Sequence, residues 1–252
     1  RYAMTANSDN LGAAPSARIA GWFAASGAPY APEMCRRTPA DVKGGHLAVR
    51  KSDGRIILRD TAQTPEDQMH YFTDQFRHPF FHTNNLWFDL KVLRDTLADR
   101  GGILGLPLIK NSKTVDPADS SSTPVIQLET AMGAAVEAFE GATAIEVPRS
   151  RFLPVKTTND LLLVRSDVYE VDDDGLLQMV PDQACTVSLD PRFYKKVQDF
   201  EARFPNGVPS IKDAQSLTVE GDWTFGADVV ATGEAHVEAE GSPGRIADGT
   251  RI

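Results

Sequence analysis

The sequence is poor in cysteine and in positive charge, and it contains no long apolar run. Its 252 residues include two cysteines, Cys35 and Cys185, with no metal or redox motif around either. They could form one disulfide, but we expect free thiols in a reducing cytosol. A net charge of −9 argues against a general nucleic-acid binder, and no apolar run approaches the roughly 18–20 residues that span a bilayer. We therefore expect a cytoplasmic protein without nucleic-acid or membrane partners.

The chain does contain enough apolar sequence to form a buried core. Apolar residues make up 41% of it and charged residues 24%, so disorder is not expected. Residues 1–6 have strand character, with no starting methionine and no loop before them. We expect the chain to be a fragment of a longer protein.

The first half of the chain predicts a hairpin and a helix. Extended segments at 47–51 and 55–59 flank Ser52-Asp53-Gly54, which is a hairpin signal. Leucines at helical spacing predict a helix over 86–100, with Asn85 as its N-cap.

Further elements follow in the second half. The apolar pattern predicts helices over 129–140 and 193–204, separated by a short strand at 144–147. For 161–164 the periodicity leaves strand and helix open, and Thr158 as N-cap favours a helix.

After residue 212 a six-residue spacing appears. Small or apolar side chains recur at Val219, Phe225, Ala231 and Val237. This spacing is typical of hexapeptide parallel β-helices, so we predict one over 213–252. An ordinary β-meander is the alternative.

Two polar motifs in the first 45 residues are candidates for ligand binding. Asp9 follows the opening strand, where a carboxylate can bind Mg²⁺ together with phosphates and water, or can simply cap the next turn. The paired glycines Gly44 and Gly45 allow a ligand to approach the backbone closely, although an ordinary turn explains them as well.

Two further motifs lie later in the chain. Asn84 precedes the predicted helix, and its amide suits sugar hydroxyls because it both donates and accepts hydrogen bonds. Capping is the alternative. Arg149, Arg151 and Lys156 form a cationic segment, stiffened by Pro148 and Pro154. Because unpaired buried cations are costly, this segment predicts an anionic partner, either protein carboxylates or ligand phosphates.

Five motifs in order carry a family resemblance. They are NSDNLG at 7–12, ADVKGG at 40–45, HTNNLW at 82–87, QLETAMGAA at 127–135 and VPRSRFLPVK at 147–156. Together they resemble the eukaryotic-type UTP–glucose-1-phosphate uridylyltransferases, over essentially the whole chain and most closely their C-terminal two-thirds.

The resemblance implies an α/β fold and an activity. Residues 1–212 would be part of a Rossmann-like nucleotide-diphospho-sugar transferase core, with a mixed sheet flanked by helices. Residues 213–252 would be a short left-handed parallel β-helix. The implied reaction is reversible and Mg²⁺-dependent: UTP and glucose 1-phosphate form UDP-glucose and pyrophosphate.

The resemblance also implies roles for six residues. Asp9 would be the metal ligand, Asn7 would lie beside the sugar nucleotide, and Lys156 would be catalytic through a phosphate. Gly44 would contact the glucosyl group, Asn84 would bind sugar hydroxyls, and Phe152 would form part of the pocket wall.

The chain departs from the family in two places. The family's glycine-rich LxxGxGTxMG loop, which holds the nucleotide, has no counterpart here, so we expect the chain alone to be inactive. His46 stands where the family leads us to expect a small polar residue.

Two alternative functions stay open. The protein could use another sugar, such as an N-acetylhexosamine, or it could be a homo-oligomeric assembly fragment acting through the β-helix.

Overall fold

The computed structural model describes residues 1–38, 41, 44–61, 64–117, 119–183 and 185–252. Residues 40, 42 and 43 of the ADVKGG motif therefore lie outside the described residues. The chain forms two compact units. Unit 1 contains residues 1–7 and 15–149, and unit 2 contains residues 8–14 and 150–252. Within the described part, every helix is too short or too polar to cross a membrane. The expected division near residue 212 stays a prediction.

Unit 1 is a mixed α/β unit. Its strands are β1 (Tyr2–Thr5), β2 (Tyr30–Arg36), β3 (His46–Val49), β4 (Ile56–Arg59), β5 (Phe80–Asp89), β6 (Leu108–Thr114), β7 (Pro124–Thr130) and β8 (Ile145–Glu146). Its α-helices are α1 (Ala17–Ser26), α2 (Met69–Phe72) and α3 (Leu90–Asp99), with 3-10 helices at Glu66–Gln68 and Met132–Ala138. A further 3-10 turn, Arg149–Arg151, spans the boundary between the units.

The main sheet of unit 1 has the order β1-β5-β2-β8. β5 pairs antiparallel with β1 and β2, and β8 pairs parallel with β2. One core cluster of this unit is built on Tyr30, which packs against Phe88 and Phe139 with ring centroids 5.0 and 5.8 Å apart. The opening strand, the β3–β4 hairpin and the strand predicted at 144–147 are confirmed.

The helix predicted over 86–100 is wrong at its start. Residues 86–89 continue β5, and the helix begins at Leu90. The N-cap is Asp89 rather than Asn85, because the Asp89 carboxylate accepts from Lys91 N at 2.8 Å. Pairing with both β1 and β2 buries residues 86–89, and this tertiary burial outweighs their helical spacing.

The helix predicted over 129–140 is also wrong. Glu129 and Thr130 end β7, and Met132–Ala138 is a 3-10 helix. Its small residues at 133–135 are buried, because the tight turn brings their backbone close to the core.

Unit 2 starts with short helices and strands and ends in stacked strands. Its helices are α4 (Thr158–Arg165), α5 (Pro191–Tyr194) and α6 (Val197–Arg203). Its strands are β9 (Tyr169–Val171), β10 (Leu177–Met179), β11 (Thr186–Leu189), β12 (Ala214–Val219), β13 (Trp223–Phe225), β14 (Gly233–Val237) and β15 (Gly244–Ile246).

The helix favoured at 161–164 is confirmed as α4, capped by Thr157 rather than Thr158. Thr157 and Asp160 form a capping box. The helix predicted over 193–204 is two short helices, α5 and α6, with a break at residues 195–196.

The strands of the tail pair in parallel. β12 pairs in parallel with β11 and β14, and β13 pairs in parallel with β15. Val219 lies opposite Val237, eighteen positions further along the chain. The four side chains of the six-residue spacing, at 219, 225, 231 and 237, are all buried. A β-meander would pair antiparallel, so the parallel pairing argues against that alternative. The six-residue spacing identified the buried positions correctly.

Candidate functional site

Unit 1 contains a polar cleft of about 440 Å³. Asn7 and Asn84 both line it, and Asn84 Nδ2 donates a hydrogen bond to Asn7 Oδ1 at 2.7 Å. The cleft also contains the carboxyl side chains of Asp60 and Glu129. Two of the predicted sugar-binding residues are thus adjacent, in a cleft rich in hydrogen-bonding groups. Such a lining suits a polyhydroxylated ligand.

The paired glycines border this cleft through Gly45 rather than Gly44. A Cβ atom on Gly44 would lie 3.2 Å from Asp41 O, and one on Gly45 would lie 3.0 Å from Asp60 Oδ2. The Gly44 carbonyl accepts a hydrogen bond from the Arg37 guanidinium. Both positions therefore allow close packing that a larger residue would disturb.

His46 lies in the interior of unit 1, where a small polar residue was expected. Its ring is 1% exposed and stacks on His78, with the ring centroids 3.8 Å apart. Burial, together with the neighbouring His78 and Arg37, lowers the pKa of His46 to about 3. The ring is therefore neutral at pH 7 and packs as an aromatic side chain.

His82 is a cleft residue that the sequence reasoning missed. Its Nδ1 accepts a hydrogen bond from the Asn84 backbone N–H at 3.1 Å, and burial lowers its pKa to about 4. The neutral ring must then carry its proton on Nε2, which is buried and lacks a hydrogen-bond partner among the described residues. The available signal was its position inside the HTNNLW motif, two residues before Asn84.

The depressed histidine pKa values predict a loss of stability in mild acid. Below about pH 6.5 the unfolded chain binds protons that folded His82 does not, so folding stability should decrease towards about pH 4. Binding of this one proton by the unfolded chain should lower the free energy of unfolding by about 2 kcal/mol between pH 6 and pH 4.5. Chemical denaturation at several pH values measures this. His82→Asn should make the curve less steep, and the contribution of His46 should remain. The exposed control His70→Asn should keep the wild-type pH dependence; equal curves for all three proteins would contradict the prediction.

In unit 2, residues 8–12 of the NSDNLG motif lie beside residues 150–156 of the cationic segment. Leu11 N donates to Leu153 O at 3.0 Å, and Val155 N donates to Asp9 O at 2.8 Å. The buried Asn10 joins the two segments, because its Oδ1 accepts from Leu153 N at 2.8 Å. Asp9 is therefore fixed next to the residue that precedes Lys156.

Glycine is required at the end of this contact. A Cβ atom on Gly12 would lie 2.7 Å from the carbonyl carbon of Arg151. Such a distance is too short for a side chain against backbone, so the close approach of the two segments depends on Gly12.

Asp9 and Lys156 are the charged site residues of these two paired segments. The Asp9 side chain is half-buried and the Lys156 side chain is exposed. Within the described residues, neither the Asp9 carboxylate nor the Lys156 ammonium forms a hydrogen bond or an ion pair. Only the backbone N–H of Lys156 is engaged, with Asp160 Oδ2 at 3.0 Å. Phe152, the predicted wall residue, is half-buried in the same segment.

The two arginines of the segment have protein partners. In unit 1, Arg149 binds the Asp41 carboxylate in a bidentate manner at 2.6 and 3.1 Å. Burial raises the pKa of Asp41, but hydrogen bonds from Arg149 and Thr38 outweigh it and hold the pKa below its usual range. In unit 2, Arg151 donates to Ala14 O at 2.9 Å. Both arginines therefore have structural roles.

A comparison with protein families decides what these motifs mean. A model of the UTP–glucose-1-phosphate uridylyltransferase family matches residues 1–231. The chain belongs to this family. The matched region contains all six predicted site residues, from Asn7 to Lys156.

Similar proteins from plants and yeast carry the same family name. The UTP–glucose-1-phosphate uridylyltransferase of Hordeum vulgare is 42% identical, over 95% of this chain and 49% of its own length. That of Saccharomyces cerevisiae is 39% identical, over 91% of this chain and 45% of its own length. The chain thus spans about half the length of the curated relatives it matches.

Solved structures of the family share the fold. A UDP-glucose pyrophosphorylase variant from Leishmania major, in complex with UDP-glucose, is 43% identical with a TM-score of 0.81. The UDP-glucose phosphorylase of Trypanosoma brucei is 41% identical with a TM-score of 0.85. Each match covers all of this chain and 56% and 55%, respectively, of the solved chain.

Proposed function

We propose that the complete protein catalyses the reversible formation of UDP-glucose and pyrophosphate from UTP and glucose 1-phosphate. The observation that carries this proposal is the pairing of the Asp9 and Lys156 segments. In the described part of the chain, the Asp9 carboxylate and the Lys156 ammonium have no protein partners. Membership of the family supports the same reaction.

In this reaction a phosphate oxygen of glucose 1-phosphate attacks the α-phosphorus of UTP. A new oxygen–phosphorus bond forms, and the bond between the α-phosphorus and the bridging oxygen breaks to release pyrophosphate. Catalysis of such transfers rests mainly on positioning and on neutralising charge at the phosphate oxygens. We assign the neutralising role to Lys156 and the wall of its pocket to Phe152.

For the sugar, we assign hydroxyl binding to Asn84 and Asn7. Their amides both donate and accept, as hydroxyl groups require. We also assign Gly44 and Gly45 to the sugar site, because a glycine backbone carries no side chain that would keep a sugar ring away.

We propose Mg²⁺ as the cofactor, held by Asp9. A group of three or more metal-ligating side chains is absent from the described residues. A single carboxylate such as that of Asp9 suits Mg²⁺, because Mg²⁺ commonly uses one or two carboxylates and takes its other ligands from phosphates and water. When bound, Mg²⁺ would neutralise negative charge on the phosphate oxygens.

We further propose that residues 1–212 form part of a Rossmann-like catalytic domain and that residues 213–252 form a short left-handed β-helix. The parallel pairing of β12 with β14 and of β13 with β15 supports the second assignment. The parallel bridges from Val230 to Ser210 and to Arg251 continue the same stacking.

Pyrophosphate release by the complete protein tests the reaction. We expect release from UTP only when glucose 1-phosphate and Mg²⁺ are both present. N-acetylglucosamine 1-phosphate is the control substrate. A preference for it would favour the alternative of a pyrophosphorylase specific for another sugar, and no release with either substrate would reject the proposed reaction.

Self-association through the tail is a second candidate function. The stacked parallel strands of the tail present edges that another copy could extend. Light scattering of the protein with and without the residues after Lys212 tests it, and an unchanged protomer count would reject this role.

A further inference from the structure

The strand β5 contains an irregularity beside the cleft. In its pairing with β2, Pro32 lies opposite Leu86 and Met34 lies opposite His82. The single residue Glu33 therefore faces the three residues 83–85. Extra residues in one strand form a bulge, and bulges beside binding sites redirect side chains.

Glu33 replaces the missing strand pairing with its own polar groups. Its carbonyl oxygen accepts from Thr83 Oγ1 at 2.8 Å. Its carboxylate oxygens accept from Asn85 Nδ2 at 3.0 Å and from Trp87 Nε1 at 2.9 Å. The Glu33 side chain is fully buried, so these hydrogen bonds are shielded from water. Both flanks of the bulge are thereby attached to Glu33, Thr83 through the backbone carbonyl and Asn85 through the carboxylate.

Asn84 is the middle residue of the bulge. Its φ of 64° lies in the left-handed region, which asparagine tolerates better than most residues but which still needs support from its surroundings. With residues 83 and 85 held, the Asn84 side chain lines the cleft and bonds Asn7. The conformation of Asn84 thus depends on Glu33, outside the cleft lining, as well as on the cleft residues Asn7 and His82.

We propose that Glu33 is a positioning residue for the sugar site: it holds the bulge at 83–85 and so presents Asn84 to the sugar. This inference rests on the proposed function, because it takes Asn84 as a sugar contact. Glu33 is fully buried and lies outside the cleft lining, so we expect it to influence the sugar site through the bulge and not by direct contact.

Glu33→Gln in the complete protein is the test. Glutamine has the same size but places an NH₂ group against one of two donors, Asn85 Nδ2 or Trp87 Nε1, so one hydrogen bond is lost. We expect KM for glucose 1-phosphate to rise by about tenfold or more, and KM for UTP to change by less than about twofold. Steady-state kinetics with each substrate varied in turn measures both values.

Phe88→Leu is the matched control, because Phe88 is buried in the same strand but packs against Tyr30 and Phe139. It should lower the melting temperature and leave both KM values unchanged. If Glu33→Gln lowers the melting temperature and leaves both KM values unchanged as well, the role of Glu33 is only structural and the proposal is overturned.

A double-mutant cycle tests whether Glu33 acts through Asn84. Asn84→Gly removes the amide without straining the positive φ, and it should itself raise KM for glucose 1-phosphate. Adding Glu33→Gln to Asn84→Gly should then raise that KM by less than about twofold. A full additive increase would overturn the proposal.

A wrong assignment of Asn84 to the sugar can be told apart from a wrong role for Glu33. If Asn84→Gly leaves KM for glucose 1-phosphate unchanged, then Asn84 does not bind the sugar. Amide hydrogen exchange at residues 83–85 decides about Glu33 in that case. Faster exchange there in Glu33→Gln than in Phe88→Leu supports the positioning of the bulge, and equal exchange overturns it.

Discussion

Replacing Lys156 by alanine should lower kcat of the complete protein by about 10²–10³-fold. A single preorganised donor to a developing oxyanion is worth about 3 kcal/mol in the transition state. The Lys156 ammonium is exposed and, in the part of the chain that the structure describes, has no ion-pair partner. Its loss should therefore change the free energy of unfolding by less than about 0.5 kcal/mol.

Steady-state kinetics and thermal denaturation check both parts of this prediction. Lys195→Ala is the matched control, because it removes the same charge from an exposed position of unit 2 outside the site. The control should keep wild-type turnover. Near-normal turnover in Lys156→Ala would remove the phosphate role, and a large loss of stability would mean that Lys156 supports the fold.

The second large effect is expected at Asp9. Asp9→Ala should lower turnover and weaken its dependence on Mg²⁺, so that the ratio of the rates with and without the metal falls by about tenfold or more. The physical reason is that the variant loses the carboxylate proposed to hold the ion. The backbone of Asp9, which binds Val155, is unchanged by the substitution, so the two segments should stay paired.

Mg²⁺ binding provides a readout besides activity. Calorimetric titration of Mg²⁺ into the complete protein with UDP-glucose should give weaker binding for Asp9→Ala than for the wild type. Asp213→Asn, an exposed carboxylate in the same unit, is the control and should bind like the wild type. Equal affinities in all three proteins would show that Asp9 is not the metal ligand.

Local, repeated patterns were the predictable part of the fold. The six-residue spacing identified four buried positions of the tail, because the same kind of side chain recurs there at a fixed interval. The hairpin β3–β4 was predictable because its turn residues lie between its own strands. Both features depend on residues that are close in sequence.

Features that depend on distant residues were missed. Residues 86–89 carry helical spacing, yet they form the end of β5 because β1 and β2 pair with them from far away in the chain. In the same way, the asparagine at 84 was predicted as a site residue, but the three-residue bulge that presents it requires Glu33 on another strand.

The pairing of residues 8–14 with 150–156 has a consequence for biosynthesis. The hydrogen bond between Asn10 and Leu153 closes a loop of 143 residues, which costs about 4 kcal/mol of chain entropy. During synthesis on the ribosome, residues 8–14 are made long before their partners and must wait until all of unit 1 has been translated. Asp9 is thus among the earliest residues of this chain to be synthesised, yet it can reach its final surroundings only after Val155 has been made.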